Sequence, residues 1–222
     1  MMAVPPLYGT ATFRSTAGDC WRPGGLELTR HGLELCAFAP SSRLLDIGCG
    51  AGATLGLLLE FGFNAVGLDK ERQCDEGLPF VRGDAAEPPF PPESFDGLLC
   101  ECVLSLLPDK GAVLRNFARL LRPGGRFLLS DLYLRDGIGS TSALNPVSAT
   151  PSCSEGAVPR WELEEALKGA GFRILAFEEH GTALKTFAAK LIWYSDGLPE
   201  SLRTCACSGR RLGYGLWLAE LS

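Results

Sequence analysis

Several features are scarce in this 222-residue sequence or missing from it. No apolar run approaches the roughly 20 residues of a membrane-spanning helix, and the first residues have neither the basic nor the apolar region of a secretion signal. Basic side chains do not predominate, because 21 Lys and Arg are set against 26 Asp and Glu. The net charge of -5 provides no overall field for binding a nucleic acid. We therefore expect a cytoplasmic protein with neither a membrane nor a nucleic-acid partner.

Residues that bind metals or form disulfide frameworks are also poorly placed for those roles. There are two histidines, His31 and His180, and we expect both to be surface or helix-cap residues. The nine cysteines are odd in number and include no CxxC pair, which favours free thiols over disulfides. Two CxC pairs occur, at Cys100 and Cys102 and at Cys205 and Cys207. Two thiolates fall short of a closed tetrahedral site, so we expect no bound metal.

What the sequence does contain is a repeated alternation of apolar strands and helical segments. It begins at "RLLDI" (43–47), ends with the strand "LGYGLWLAEL" (212–221), and follows a lead helix that comes after a Pro-Gly-Gly turn. Such winding is typical of an α/β fold with a parallel sheet.

The stretch "LLDIGCGAG", Leu44 to Gly52, places a tight turn after the first strand. In this arrangement backbone N–H groups point to the carboxyl edge of the sheet, where α/β folds bind nucleotides. The glycines follow G-x-G-x-G rather than the G-x-G-x-x-G of dinucleotide folds, and the Lys-Ser/Thr of a P-loop is missing. Asp46 precedes the turn, where its charge would repel a phosphate and attract a cation. The turn therefore argues against a pyrophosphate ligand.

Two further carboxylates lie at the ends of the next strands. Asp69 ends the second strand, about 20 residues further on, where a carboxylate can accept both hydroxyls of a ribose. Asp84 ends the third strand, where it could accept a hydrogen bond from an exocyclic amine such as the adenine N6. Three carboxylates around one pocket favour a cationic adenosine compound.

With these residues, the sequence resembles the class I S-adenosylmethionine-dependent methyltransferases. The resemblance rests on "LLDIGCGAG", "AVGLD", "RGDAAEPPFPPESFDGLLCECVLSLLPD" and "LLRPGGRFLLSD", in the family's order from about Arg43 to Asp131. It implies a Rossmann-like seven-stranded, mostly parallel sheet with the last strand antiparallel and helices on both faces, with S-adenosyl-L-methionine as co-substrate. Within the class, the chain is most similar to the small-molecule group that includes ubiquinone-biosynthesis-type and arsenite methyltransferases.

The resemblance also suggests how the chain is organised. We expect a single methyltransferase domain over residues 1–222. Its parts are a lead or lid segment (1–41), a cofactor-binding half (42–132), an inserted loop rich in Ser, Thr, Gly and Pro (133–159) and a substrate-side half (160–222).

Carried over by position, the resemblance implies a set of cofactor-binding residues. Asp46 and the glycine turn would hold the methionine end, Asp69 the ribose, and Asp84 with the Ala85 N–H the adenine, while Thr29 or Trp21 would lie nearby in the lid. The full expected set is Asp46, Gly48, Cys49, Gly50, Asp69, Lys70, Gly83, Asp84, Ala85, Glu101 and Cys102.

Direct in-line methyl transfer, giving S-adenosylhomocysteine, depends little on acid–base catalysis because the sulfonium is already activated. Alignment contributes on the order of 7 to 11 kcal/mol, and a general base roughly 3 to 5 kcal/mol. Glu101 is the first catalytic candidate, because an acid at the end of a parallel strand is costly unless it is paired. It would hold the ammonium of the cofactor or receive the proton of the substrate. Tyr133, which follows the core of the fifth strand, is the second candidate.

The expected function is thus an enzyme that methylates a small molecule, and three alternatives stay open. A methyltransferase for arsenite or another soft nucleophile would give a role to Cys205 and Cys207. A non-catalytic protein would bind S-adenosylmethionine without turning it over. A nicotinamide-dependent oxidoreductase would share the fold, but the glycine spacing and Asp84 disfavour it. No motif specifies the methyl acceptor.

Overall fold

The computed structural model describes residues 20, 22–135, 154, 156–194 and 212–222, without the side chains of 191–194. The described residues form one sheet in the order β3-β2-β1-β4-β5-β7-β6. Its strands are β1 (Arg43–Ile47), β2 (Asn64–Asp69), β3 (Phe80–Arg82), β4 (Phe95–Glu101), β5 (Leu121–Leu134), β6 (Phe172–Glu179) and β7 (Leu212–Leu221). All pairings are parallel except those of β7 with β5 and β6. The predicted α/β sheet with an antiparallel last strand is confirmed.

Helices cover both faces of this sheet. They are α1 (Gly25–Cys36), α2 (Ala53–Glu60), α3 (Lys110–Leu120), α4 (Arg160–Gly169) and α5 (Gly181–Tyr194), with a 3-10 turn at Leu104–Leu106. One part of the core packs between the sheet and α3 and α4, and the other between the sheet and α1 and α2. This two-sided cover explains why the inner strands are almost continuously apolar. Within the described part of the chain, no helix is both long enough and apolar enough to cross a membrane.

Helix α1 lies close against the sheet because of one small residue. A Cβ atom added at Gly32 would come within 2.6 Å of Leu128 Cδ2 on β5. Leu28, Leu33 and Cys36 share the buried side of the helix with Gly32. The same side carries Thr29, which is fully buried and directed toward the end of β4.

The join between α3 and β5 differs from the sequence prediction. The pattern predicts a helix that runs on to the Pro-Gly-Gly stop, whereas α3 ends at Leu120 and Leu121 already pairs with Phe95. The N–H groups of Glu93 and Ser94 donate to the last carbonyls of α3, so the helix is closed by the loop before β4. Pro123, Gly124 and Gly125 of β5 lie in a register shift opposite the stretch from Phe95 to Gly97 of β4. A shift is expected there because proline has no N–H to donate to a regular ladder.

Candidate active site

The glycine turn is fixed to the end of the neighbouring strand. Gly48 N donates to Leu68 O at 2.7 Å, and Gly50 N donates to Asp69 Oδ2 at 3.0 Å. Gly48, Gly50 and Gly52 have φ of 73°, 49° and 84°, a region that favours glycine. A Cβ atom at Gly48 would also lie 2.3 Å from Val103 Cγ2. Glycine is therefore required at position 48 by close packing within the protein, and not only by the close approach of a ligand to the turn.

A buried ion pair lies where β4 ends. Arg22 Nη2 is 2.8 Å from Glu101 Oε2, and these residues are 8% and 9% exposed. Arg22 Nη2 also donates to Thr29 Oγ1 and, at 2.9 Å, to Thr54 Oγ1. Both threonine hydroxyls in turn donate hydrogen bonds to the Glu101 carboxylate, Thr29 to Oε1 at 2.9 Å and Thr54 to Oε2 at 2.7 Å. Three donors thus hold Glu101 as an acceptor, which favours a positioning role over proton transfer.

Asp46 lies beside this pair with part of its hydrogen-bonding capacity unused. Its side chain is buried, and Oδ2 has no hydrogen-bond partner among the described residues. Burial, reinforced by Glu101, raises the pKa of Asp46 to about 8, while Arg22 acts in the opposite direction. Arg22 Nε likewise has no partner within the described residues. Buried polar atoms of this kind are uncommon, so the pair of them indicates a place where a ligand with both an anionic and a cationic group fits.

Arg22 is the residue that sequence reasoning missed. Although burial alone would lower its pKa, the charge of Glu101 raises the pKa of Arg22 above its ordinary value, which keeps the guanidinium charged. The available signal was the position of Arg22 in the lead segment, directly before the Pro-Gly-Gly turn that starts α1. A single arginine there carries no motif.

The predicted nucleoside side of the site is more open. Asp69 holds the glycine turn through its Oδ2, as described above, and ends β2 next to Lys70. Lys70 Nζ is 3.2 Å from Asp84 Oδ2, and both side chains are about half exposed or more. A hydrogen bond from the Ala86 N–H, with Lys70 assisting, keeps the pKa of Asp84 below its usual value. Asp84 is therefore an ionised acceptor at the rim.

The remaining predicted cofactor residues pack tightly around these groups. Ala85 is buried, and a Cβ atom at Gly83 would lie 2.9 Å from side-chain atoms of Leu68 and Pro89. Cys49 is buried against Gly67, so that burial raises the pKa of its thiol. These three positions can offer backbone groups to a ligand, but the side chains of Ala85 and Cys49 are buried in packing and no side chain fits at Gly83.

Cys102 occupies an unusual backbone position at the end of β4. Its φ of 58° is rare for a residue with a side chain, and its N–H donates to Ser130 O at 2.7 Å. Its Sγ is 3.4 Å from Tyr214 Oη, and that hydroxyl donates to Ser130 Oγ at 3.1 Å. Backbone strain of this kind is concentrated at functional sites.

Tyr133, the second catalytic candidate, and Ser105, which follows β4, have contacts apart from the Arg22 cluster. Tyr133 is 4% exposed and packs edge-on against Phe177 and Trp217, on the face of the sheet covered by α3 and α4. Ser105 donates through its N–H and its hydroxyl to the buried Asp131, at 2.8 and 2.7 Å. The structure thus joins Asp46 and Glu101 to Arg22, but gives Tyr133 and Ser105 partners of their own.

Some expectations concern residues away from this cluster. Trp21, Cys205, Cys207 and residues 136–153 of the predicted inserted loop lie outside the described residues. His31 and His180 are partly exposed, and both contact Glu178. The sequence could not indicate this contact, because His31 and Glu178 are 147 residues apart in the chain.

Comparison with known proteins finds similarity to methyltransferases. Residues 45–129 match a family model described as "Methyltransferase domain". The chain is 35% identical over 133 residues to nocamycin O-methyltransferase of Saccharothrix syringae, an alignment that covers 53% of this chain and 46% of that one. The alignments cover less than two thirds of the length of curated relatives, from 24% to 63% in eight of them.

Two solved structures share the fold. The [4+2]-cyclase SpnF superposes with a TM-score of 0.74 at 19% identity, over 96% of this chain and 92% of that one. Phosphoethanolamine N-methyltransferase 2 of Haemonchus contortus, in complex with phosphomonomethylethanolamine and S-adenosylhomocysteine, gives 0.73 at 18% identity, over 94% of this chain and 56% of that one. Residues 45–129 are thus similar to a methyltransferase domain, and the chain shares the fold of these two solved structures.

Proposed function

We propose that this chain transfers a methyl group from S-adenosyl-L-methionine to a small-molecule acceptor. The observation that carries the proposal is the buried cluster of Arg22, Glu101 and Asp46 beside the glycine turn, with one unpartnered polar atom on Arg22 and one on Asp46 among the described residues. The methionine end of the co-substrate has a carboxylate and an ammonium, which complement these two side chains. The methyltransferase names of the relatives support the same cofactor.

Each part of the co-substrate has a proposed partner. Arg22 would bind the carboxylate, and Asp46 the ammonium. Asp69 would accept the ribose hydroxyls, and Asp84 together with the Ala85 N–H would bind the adenine. The charges of Arg22, Asp46 and Glu101 sum to about −1 when the ammonium of the ligand keeps Asp46 ionised, which suits a ligand whose sulfonium, ammonium and carboxylate sum to about +1.

The residues of the chain act mainly by alignment and by excluding water. When bound, S-adenosylmethionine supplies a methyl group on a sulfonium that needs no further activation. Arg22 and Asp46 fix one end of the ligand, and Glu101 with its two threonine partners holds the Arg22 guanidinium in place. We therefore assign Glu101 to positioning.

Calorimetric titration with S-adenosylmethionine, S-adenosylhomocysteine and NAD tests the cofactor. We expect binding of the first two and none of NAD, whereas tight NAD binding without S-adenosylmethionine binding would refute the proposal in favour of an oxidoreductase. Formation of S-adenosylhomocysteine is then measured over a panel of carboxylic acids, phenols, amines and arsenite with glutathione. Cofactor binding without turnover on any acceptor would favour the non-catalytic alternative.

The variant Glu101→Gln separates the two roles considered for this residue. If Glu101 positions Arg22, the variant loses affinity for S-adenosylmethionine. Retained affinity combined with loss of methyl transfer would instead make Glu101 the proton acceptor and overturn our assignment.

We also infer a reducing, cytoplasmic location. The support is that Cys36, Cys49, Cys74 and Cys100 are buried thiols without disulfides, a pattern typical of reducing compartments. Fractionation of the native host with thiol labelling checks this inference.

A further inference from the structure

The whole chain contains two histidines, and the fold brings both to one carboxylate oxygen. His31 Nε2 lies 2.7 Å from Glu178 Oε2, and His180 Nε2 lies 3.2 Å from the same atom. The three ligand atoms all lie within 4.8 Å of one another. In the part of the chain that the structure describes, this is the one group of three such side chains that could hold a metal ion.

The three residues come from two parts of the fold, His31 from α1 and the other two from the end of β6 and the residue that follows it. His31 lies on the flank of α1, and Glu178 is in β6, where it pairs with Leu216 of β7. His180 precedes α5, and its N–H donates to Tyr214 O of β7 at 2.7 Å. The two imidazoles lie edge to face with ring centroids 6.2 Å apart. The cluster is therefore held by the backbone of the sheet on one side and by α1 on the other.

The distances are close to those of a coordinated ion. Ligand atoms about 2.0 to 2.2 Å from a tetrahedral Zn²⁺ are roughly 3.3 to 3.6 Å apart. The 3.2 Å between His180 and Glu178 already approaches this separation, and the 2.7 Å between His31 and Glu178 would have to open by roughly 0.6 to 0.9 Å. His31 is 42% exposed and Glu178 35%, so small side-chain rotations can supply that opening. Partial exposure also leaves room for water in the remaining coordination positions.

The donor set indicates which ion fits. Two imidazole nitrogens and one carboxylate suit first-row divalent ions such as Zn²⁺ or Fe²⁺, whereas Mg²⁺ and Ca²⁺ prefer oxygen ligands alone. We infer that His31, Glu178 and His180 form a binding site for a divalent first-row metal ion, with three protein ligands and water completing the shell. This departs from the sequence expectation of no metal, which rested on the absence of clustered ligands along the chain.

Such an ion would connect α1 to the edge of the sheet. Thr29, two residues before His31, donates to Glu101 in the Arg22 cluster. Metal binding at His31 would thus hold the helix that supplies one wall of the candidate active site. The metal site itself stands independently of the proposed methyl transfer, because its evidence is the geometry of three side chains that take no part in that reaction.

Zn²⁺ binding is measured by competition with a chromophoric chelator, on the purified chain first stripped of metal. Because the chain has nine cysteines, thiols could also take up Zn²⁺, so side-chain ¹⁵N NMR of the two histidines is recorded during the same titration. We expect both histidine signals to change on Zn²⁺ addition. Glu178→Gln should weaken binding on the order of 10-fold or more, since loss of even an outer-shell partner costs that much.

Glu179→Gln is the matched control, because it neutralises the adjacent carboxylate, which pairs with Arg135 instead. It should bind Zn²⁺ as the wild type does. If Glu178→Gln does not fold, as judged by circular dichroism, His31→Gln on the partly exposed flank of α1 replaces it. Histidine signals that stay unchanged while Zn²⁺ binds, or equal affinities of the 178 and 179 variants, would overturn the proposed site.

Discussion

Replacing Arg22 by methionine removes the guanidinium of the buried pair and keeps most of its apolar stem. Glu101 would then stay buried with Thr29 and Thr54 as its donors. Removing one partner of a buried ion pair typically costs about 3 to 5 kcal/mol in the free energy of unfolding, because the other charge is left uncompensated. The double variant Arg22→Met with Glu101→Gln removes both charges, so it should be destabilised by less than the sum of the two single variants.

The same change should weaken cofactor binding by an amount that can be stated. A hydrogen bond between an arginine and a carboxylate contributes about 1.5 to 3 kcal/mol. This corresponds to a roughly 10- to 140-fold rise in the Kd for S-adenosylmethionine. Urea unfolding gives the stability of each variant, and calorimetric titration at matched fractions of folded protein gives the Kd.

Arg30→Met is the matched control for this experiment. Arg30 lies on α1, the helix that begins three residues after Arg22, and its described contact is with the ring of Phe61, at 5.2 Å from the ring centroid. Loss of that contact should cost no more than about 1 kcal/mol and leave the Kd unchanged. If Arg22→Met is destabilised as expected but binds S-adenosylmethionine within about twofold of wild type, Arg22 serves the fold alone and the proposed carboxylate contact is wrong.

Three further predictions concern Asp46 and the glycines. The pKa of Asp46 in the folded protein, about 8, lies above its value in the unfolded chain, so the free energy of unfolding should fall as pH rises from about 4 to 8. The fall should be at most about 1.4 kcal/mol per pH unit. Asp46→Asn should flatten this slope in urea unfolding measured across that range, and an unchanged slope would contradict the assignment. Gly48→Ala should lower the free energy of unfolding by at least about 2 kcal/mol in the same assay, because it adds a contact 2.3 Å from Val103 to an unfavourable φ. Gly62→Ala has a similar φ of 81° but open space around it, so it should cost about 1 kcal/mol. Equal costs would mean that packing at Val103 is irrelevant. In thermal melts Gly56→Ala, in open space on α2, should raise Tm, and Gly32→Ala, which would press on Leu128, should lower it, so a rise in both would rule out the close packing of α1 on β5.

Much of the fold could be predicted because its signals are local. The run Leu44 to Ile47 is apolar along most of its length, since β1 is covered on both faces, and the turn after it demands glycine through its φ angles. The alternation of apolar strands and turns also indicates which residues lie at the carboxyl ends of β1, β2 and β4. This is why Asp46, Asp69 and Glu101 could be chosen from the sequence before any contact was known.

The contacts that give the site its character could not be predicted, because they join distant segments. Thr29 reaches Glu101 across 72 residues, and His31 reaches Glu178 across 147. Neither α1 nor the residues before it contain a motif that reveals which strand end they cover. Arg22 and the histidine cluster therefore emerge only when the packing of α1 on the sheet is known.

The fold alone does not decide between methyl transfer and another reaction. SpnF, named as a [4+2]-cyclase, superposes over 96% of this chain, with a TM-score slightly above that of the phosphoethanolamine N-methyltransferase. A cluster that binds the methionine end of the cofactor is compatible with either outcome, because binding precedes any use of the methyl group. Titration of the Arg22 and Asp46 variants therefore tests the site, whereas formation of S-adenosylhomocysteine tests the reaction. A chain that passes the first test and fails the second would keep the cofactor assignment and lose the proposed methyl transfer.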